Sequence, residues 1–191
     1  MTELTNDGSY VTGQLLIAMP GMRDERFAKT VIYMCAHTEE GAMGLVLNQR
    51  FEALTFVELM SQLELEEKHI TKDVPVHFGG PVEAGRGFVL HTSDYQQDAT
   101  LEVVDGVALT ATVDILKAIA KGEGPNKSLL ALGYAGWGPG QLDMEIRANG
   151  WLQVPGDSEI IFDDQLETKW ERAFRRLGID PRMLSDNMGH A

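Results

Sequence analysis

The residue types best placed to do chemistry lie in one stretch, Leu129 to Trp151, LLALGYAGWGPGQLDMEIRANGW. Leu129 to Tyr134 is an apolar run that reads as a buried strand, and Gly136, Trp137, Gly138, Pro139 and Gly140 form a turn expected to end it. A helix should follow, with Pro139 in its first turn, where the missing N–H costs nothing, and with Leu142 and Ile146 on one face. Asn149-Gly150 then stops it. Free amides at a helix start favour an anion or a small polar ligand. In that reading Trp137 is the wall of the site, Gly138 lets the backbone come close, and Gln141 and Glu145, four residues apart, are polar contacts. A dinucleotide site is a poor fit. Gln141 stands where the third glycine of the fingerprint belongs, and Pro139 removes an amide from the cradle, so no cofactor is expected.

Three further features bear on a binding site. Gly79-Gly80-Pro81 fixes the backbone in a shape that side chains would obstruct, which serves a sharp corner or a ligand. Asn48, at the end of an expected strand, either closes a turn with its side chain or meets a ligand. Convergence of Asn48, Gly80, Arg86, Trp137 and Gln141 on one hollow is the arrangement that would make a site of them. The Arg23-Asp24-Glu25-Arg26 cluster reads as a solvated turn, the alternative being an arginine clamp for a carboxylate.

Reactive groups are sparse. His37, His69, His77, His91 and His190 show no metal-ligand spacing, although strand pairing could bring His77 and His91 together; no metal site is expected. Cys35 is the only cysteine, so an intrachain disulfide and a multi-thiolate zinc site are both excluded. Strand alternation would put Cys35 and His37 on one face, the basis of a hydrolase or redox-sensing alternative, but a strand-interior cysteine is ordinarily inert core. No nucleophile elbow or P-loop occurs.

The elements that must position these residues read as follows. Gln14 to Met19, Thr30 to Ala36 and Met43 to Leu47 are expected strands, with Phe27 anchoring the loop before the second. Thr55-Phe-Val-Glu58 is a capping box that opens a helix of about nine residues. Val76 to Phe78 is a short strand, and Asp105-Gly106 joins a hairpin of Leu101–Val104 and Val107–Thr110. A helix from Thr112 to Lys121 should bury Val113, Leu116, Ile119 and Ala120 and stop at Gly122. Trp151 to Val154 and Ile160 to Phe162 read as strands, Glu167 to Leu177 as an amphipathic helix, and Asp180-Pro181 as a last turn. Many connections are too short for parallel crossovers, so the class is α+β with a largely antiparallel sheet and helices around it.

The chain of 191 residues suits one domain, 13–191, after a disordered tail, 1–12. Its net charge of −13 repels phosphate backbones, so non-specific nucleic-acid binding is disfavoured. Lys169, Arg172, Arg175 and Arg176 are the best candidate for a basic patch, the favoured reading being an ordinary solvated helix face. The lone cysteine and the lack of a signal peptide or long apolar stretch fit a cytoplasmic protein with no membrane segment.

The motifs GYAGWGPGQLDMEIRANGW, AMPGM, GAMGLVLN, FGGPV and RGFVLH, in this order, with a terminal Gly189-His190-Ala191, resemble the AlgH/YqgE family of small bacterial proteins. Gln49-Arg50-Phe51 departs from the family pattern, in which a proline soon follows the asparagine at Asn48. The resemblance implies a bifurcated, partly barrel-like sheet and a link to transcription, the family's usual label. The residues lead to a non-catalytic binding or regulatory module for a small molecule or protein partner, with any transcriptional effect indirect. The alternatives are direct DNA contact through Arg172 and Arg176, or an enzyme using Cys35 or a histidine.

Overall fold

The fold is set by which strands share β8 (Ser128–Trp137). The computed structural model describes residues 10–104 and 106–185, so Asp105, His190 and most of the expected tail lie outside the described residues. The other strands are β1 (Gln14–Ala18), β2 (Val31–Thr38), β3 (Gly41–Val46), β4 (Val76–Phe78), β5 (Val82–Thr92), β6 (Leu101–Val104), β7 (Val107–Thr110) and β9 (Trp151–Pro155). The helices are α1 (Phe56–Gln62), α2 (Val113–Ala120), α3 (Gln141–Arg147), α4 (Ser158–Phe162), α5 (Leu166–Arg176) and α6 (Pro181–Ser185). The sheet runs β6-β7-β5-β8-β3-β2-β1-β9. On one edge of β8, β4 pairs with Leu130 to Leu132 and β3 with Ala135 to Trp137, so the sheet forks along this strand. β4–β8 is the one parallel pairing among the described residues. This is an α+β half-barrel, as expected.

Curling divides the core in three. The concave side holds Leu15, Tyr33, Leu45, Phe88, Leu109 and Leu129 and is covered by Ile160, Trp170 and Phe174 of α4 and α5. The indole of Trp170 donates to the carbonyl of Ala18 at 2.8 Å and its ring meets Phe174 edge to face at 4.9 Å. Truncating a buried aromatic of this kind costs about 3–5 kcal/mol. Opposite, α3 covers Leu16, Met34 and Trp137, while α1 and α2 cover Val76, Val89 and Leu130.

Local chemistry explains the elements. The side chain of Thr55 accepts from the Glu58 amide and Glu58 answers to the Thr55 amide, the expected capping box. Gly122, at φ +76°, follows α2 and stops it. Four expectations change. β8 continues through Gly136 and Trp137, because Ala135, Gly136 and Trp137 find partners in Gly44, Met43 and Ala42. Helix α3 starts at Gln141 with Gly140 as its left-handed N-cap, which leaves Pro139 ahead of the helix. Residues 160–162 are helical, since the Asp157 carboxylate accepts from the Glu159 amide and starts α4. In α2, Ile115 takes the buried place expected of Val113, which is 44% exposed. Val11, within the span expected as a tail, is fully buried.

Candidate functional site

A bulge shapes a large hollow on the concave side. Val82 pairs with Tyr134 and Gly87 with Leu132, so Glu83, Ala84, Gly85 and Arg86 all stand opposite Gly133. This excess chain leaves the ladder and becomes a rim. Glu83 sits at φ +47°, a left-handed conformation rare for a glutamate. A second irregularity lies at Cys35, where the β2–β3 register shifts between Met34 and Ala36. Beyond it, Ala36 and Thr38 turn toward the same hollow.

The result is an open cleft of about 760 Å3 at the mouth of the half-barrel. Its floor is the top of the concave core: Phe88 and Leu109 belong to that core, and Met43 and Tyr134 pack on it. Phe88 and Tyr134 meet edge to face at 5.8 Å. Leu101 of edge strand β6, 67% exposed, is one wall. Around the rim stand Thr38, Glu40, Glu83, Arg86 and Thr112. The guanidinium of Arg86 lies 5.0 Å from the centroid of the Phe88 ring and 3.6 Å from Glu83. Apolar depth with a few polar groups at the lip is the usual make-up of a small-molecule site, and barrel mouths commonly hold one.

Of the residues singled out from sequence, Arg86 and Trp137 line this cleft, and the others lie elsewhere. Trp137 borders it from the end of β8, with its ring edge to face with Trp151 at 6.1 Å in the core beneath α3. Gly138 donates its amide to the side-chain oxygen of Gln141 at 3.0 Å. Glu145 accepts from the Trp151 indole at 3.2 Å. Gln141 and Glu145 therefore hold α3 to its surroundings. Asn48 accepts from the Val31 amide at 3.0 Å and donates to the Lys29 carbonyl at 2.8 Å, closing the turn before β2. Gly79 and Gly80 form the corner into β5, hard against β8, and Pro81 completes it ahead of the rim. Met43, Phe88, Tyr134, Glu40 and Leu101 had no individual signal in the sequence, because a bulge of this size leaves no pattern of its own.

The reactive groups are dispersed. Cys35 follows Val31 and Tyr33 into the concave core, and the register shift beside it turns His37 to the other face, so the two do not share a face as simple alternation implies. His37 Nδ1 accepts from the Val11 amide at 3.1 Å, and Nε2 lies 3.5 Å from Asp143. Burial pushes the Cys35 thiol up to about 12. His77 pairs with Ala131 on one edge of β8, and His91 with Ser128 on the other, which keeps the two rings apart. His77 Nδ1 bonds the Leu130 carbonyl at 3.0 Å; His91 bonds the Thr92 carbonyl and the Thr110 hydroxyl, each at 2.8 Å.

The basic patch is likewise spent within the fold. Lys169 is fully buried, its ammonium donating to the carbonyls of Ile161 at 3.3 Å and Asp163 at 3.1 Å, and burial brings its pKa down to about 8. Arg172 grips both oxygens of Asp163 at 2.7 and 2.8 Å. Arg176 pairs with Asp157 and Glu159, and Arg175 lies 4.0 Å from Glu171. In the first loop, Arg26 holds Asp24 at 2.8 Å as a surface pair. No helix among the described residues is long and apolar enough to cross a membrane.

The sequence profile of the AlgH-like family matches residues 15–182. This chain belongs to that family. The AlgH-like relatives include a UPF0301 protein of Rhodospirillum rubrum, 56% identical over 190 residues that span 100% of this chain and 99% of its own. A second, from Nitrobacter hamburgensis, is 56% identical over 97% of this chain and 89% of its own. Among solved structures, the AlgH protein of Pseudomonas aeruginosa superposes with a TM-score of 0.79 at 41% identity, covering 100% of both chains. A Corynebacterium diphtheriae protein shares the fold, with a TM-score of 0.70 at 23% identity over 87% of this chain and 86% of its own. The forked half-barrel implied by the AlgH/YqgE resemblance is thus an AlgH-like fold.

Proposed function

We propose that this AlgH-like chain is a cytoplasmic, non-catalytic binding module that takes up a small molecule in the mouth of its half-barrel, with any effect on transcription indirect. One observation carries the reading. The cleft is a continuation of the apolar core, open to solvent and lined by no histidine, cysteine, serine or lysine. Such a lining gives affinity and orientation without a nucleophile paired to a base. The engagement of Lys169, Arg172 and Arg176 inside the fold favours this reading over direct contact with DNA.

A titration with a pooled metabolite extract, followed by methyl and amide NMR, tests it. Saturable shifts are expected at Ala36, Met43, Leu101 and Tyr134, which line the cleft. Ala36→Trp, at an exposed position on the lining, should weaken the effect about tenfold or more, corresponding to ~1.4 kcal/mol. Shifts confined to other parts of the protein, or undiminished in that variant, would remove the cleft from the account.

A further inference from the structure

We propose that the ligand of the half-barrel mouth is a small organic cation, an ammonium group carried on an aryl or short alkyl body; the assignment rests on the reading of this mouth as a binding site. The floor supplies electron-rich ring surface, since Phe88 and Tyr134 stand edge to face at 5.8 Å. The protein already places a cation there: the Arg86 guanidinium lies 5.0 Å from the Phe88 centroid. Arg86 therefore acts as an internal occupant of a cation site, held loosely by Glu83 at 3.6 Å and with a side chain more than half exposed. Glu40, which lines the cleft from the turn between β2 and β3, has no ion-pair partner among the described residues. When a ligand ammonium enters over the ring, Arg86 swings toward solvent, and Glu83 and Glu40 face the incoming charge.

An anionic ligand meets the opposite conditions. It would have to compete with Glu83 for Arg86 while lying near Glu40, in the field of a chain that carries −13 overall. The same field concentrates cations at the mouth. Arg86 on its own would suggest a carboxylate partner; the two rim carboxylates and the ring beneath it reverse that choice.

Three probes with one body separate the cases: 2-phenylethylammonium, 2-phenylethanol and phenylacetate, each titrated into the full chain with the methyls of Ala36, Met43 and Leu101 as reporters. The cation should bind at least tenfold more tightly than phenylacetate, with the alcohol between them. Arg86→Ala should tighten the cation severalfold by vacating the ring and freeing Glu83. Glu40→Gln combined with Glu83→Gln should weaken the cation about fivefold or more and leave the alcohol unchanged. All three side chains are exposed, so urea unfolding of the variants should match the parent chain. Equal or tighter binding of phenylacetate, or weaker cation binding in Arg86→Ala, overturns the cation assignment and leaves the cleft as a binding site. No shift at the reporters with any of the three overturns both.

Discussion

Gly80 and Gly133 press backbone against backbone: a Cβ on Gly133 would lie 2.3 Å from the Gly80 carbonyl oxygen, and one on Gly80 would lie 2.0 Å from the carbonyl carbon of Tyr134. Both residues also hold positive φ, +153° and +74°. The contact joins the corner before β5 to the bend in β8, and so fixes how far the Glu83–Arg86 rim stands off the sheet. Gly80→Ala and Gly133→Ala should each lower stability by about 3 kcal/mol or more, since backbone cannot yield as a side chain does. Gly85→Ala, in open space on the same rim, should stay within about 0.5 kcal/mol. Urea unfolding measures all three. A Gly80→Ala variant as stable as the parent would mean the corner is slack and does not set the rim.

Cys35 offers a second check, on the core rather than the corner. Its sulfur is buried and its thiol is pushed up to about 12 by that burial, so the thiolate fraction near neutral pH is far below that of a free cysteine. Alkylation by iodoacetamide should therefore proceed only through unfolding, with a rate that climbs with urea. Followed by mass spectrometry in native buffer at pH 7 to 8, the reaction should be far slower than with glutathione. Rapid native labelling would restore the thiol-based alternatives.

Much of the architecture was legible because local chemistry agreed with tertiary packing. The Thr55–Glu58 box, the hairpin of β6 and β7, the stop at Gly122 and the amphipathic α5 were each written in a few adjacent residues. The sequence misled where glycine serves a strand. Gly136 looks like punctuation, yet it pairs with Met43, so the strand, bent at Gly133, runs on to Trp137. The cleft was legible only in Arg86 and Trp137, because it depends on two ladder irregularities, at Cys35 and at Glu83–Arg86. Periodicity assumes an unbroken alternation. A bulge reverses the faces downstream of it, and nothing in the composition marks where that happens.

The buried histidines make stability depend on pH, with a definite sign. His77 donates from Nδ1 to the Leu130 carbonyl, and burial, aided by the nearby positive charges of Lys169 and Arg50, brings its pKa down to about 4. His91, buried too, is also lowered, burial again being the first cause. The unfolded chain takes up protons near the ordinary value of 6.5 while the folded rings stay neutral. Between those limits the unfolded state binds more protons, so stability falls as pH drops from 6.5 toward 4 and is unaffected by these groups above it. A single ring contributes at most ~1.4 kcal/mol per pH unit within the window. Urea midpoints at pH 7, 6 and 5 should show a loss of about 1–3 kcal/mol for the parent chain. In His77→Gln the slope should shrink, with His91 supplying what remains, whatever the variant's stability at pH 7. A parent chain equally stable at pH 7 and pH 5 would mean that these rings accept protons inside the fold, contrary to their burial beside β8.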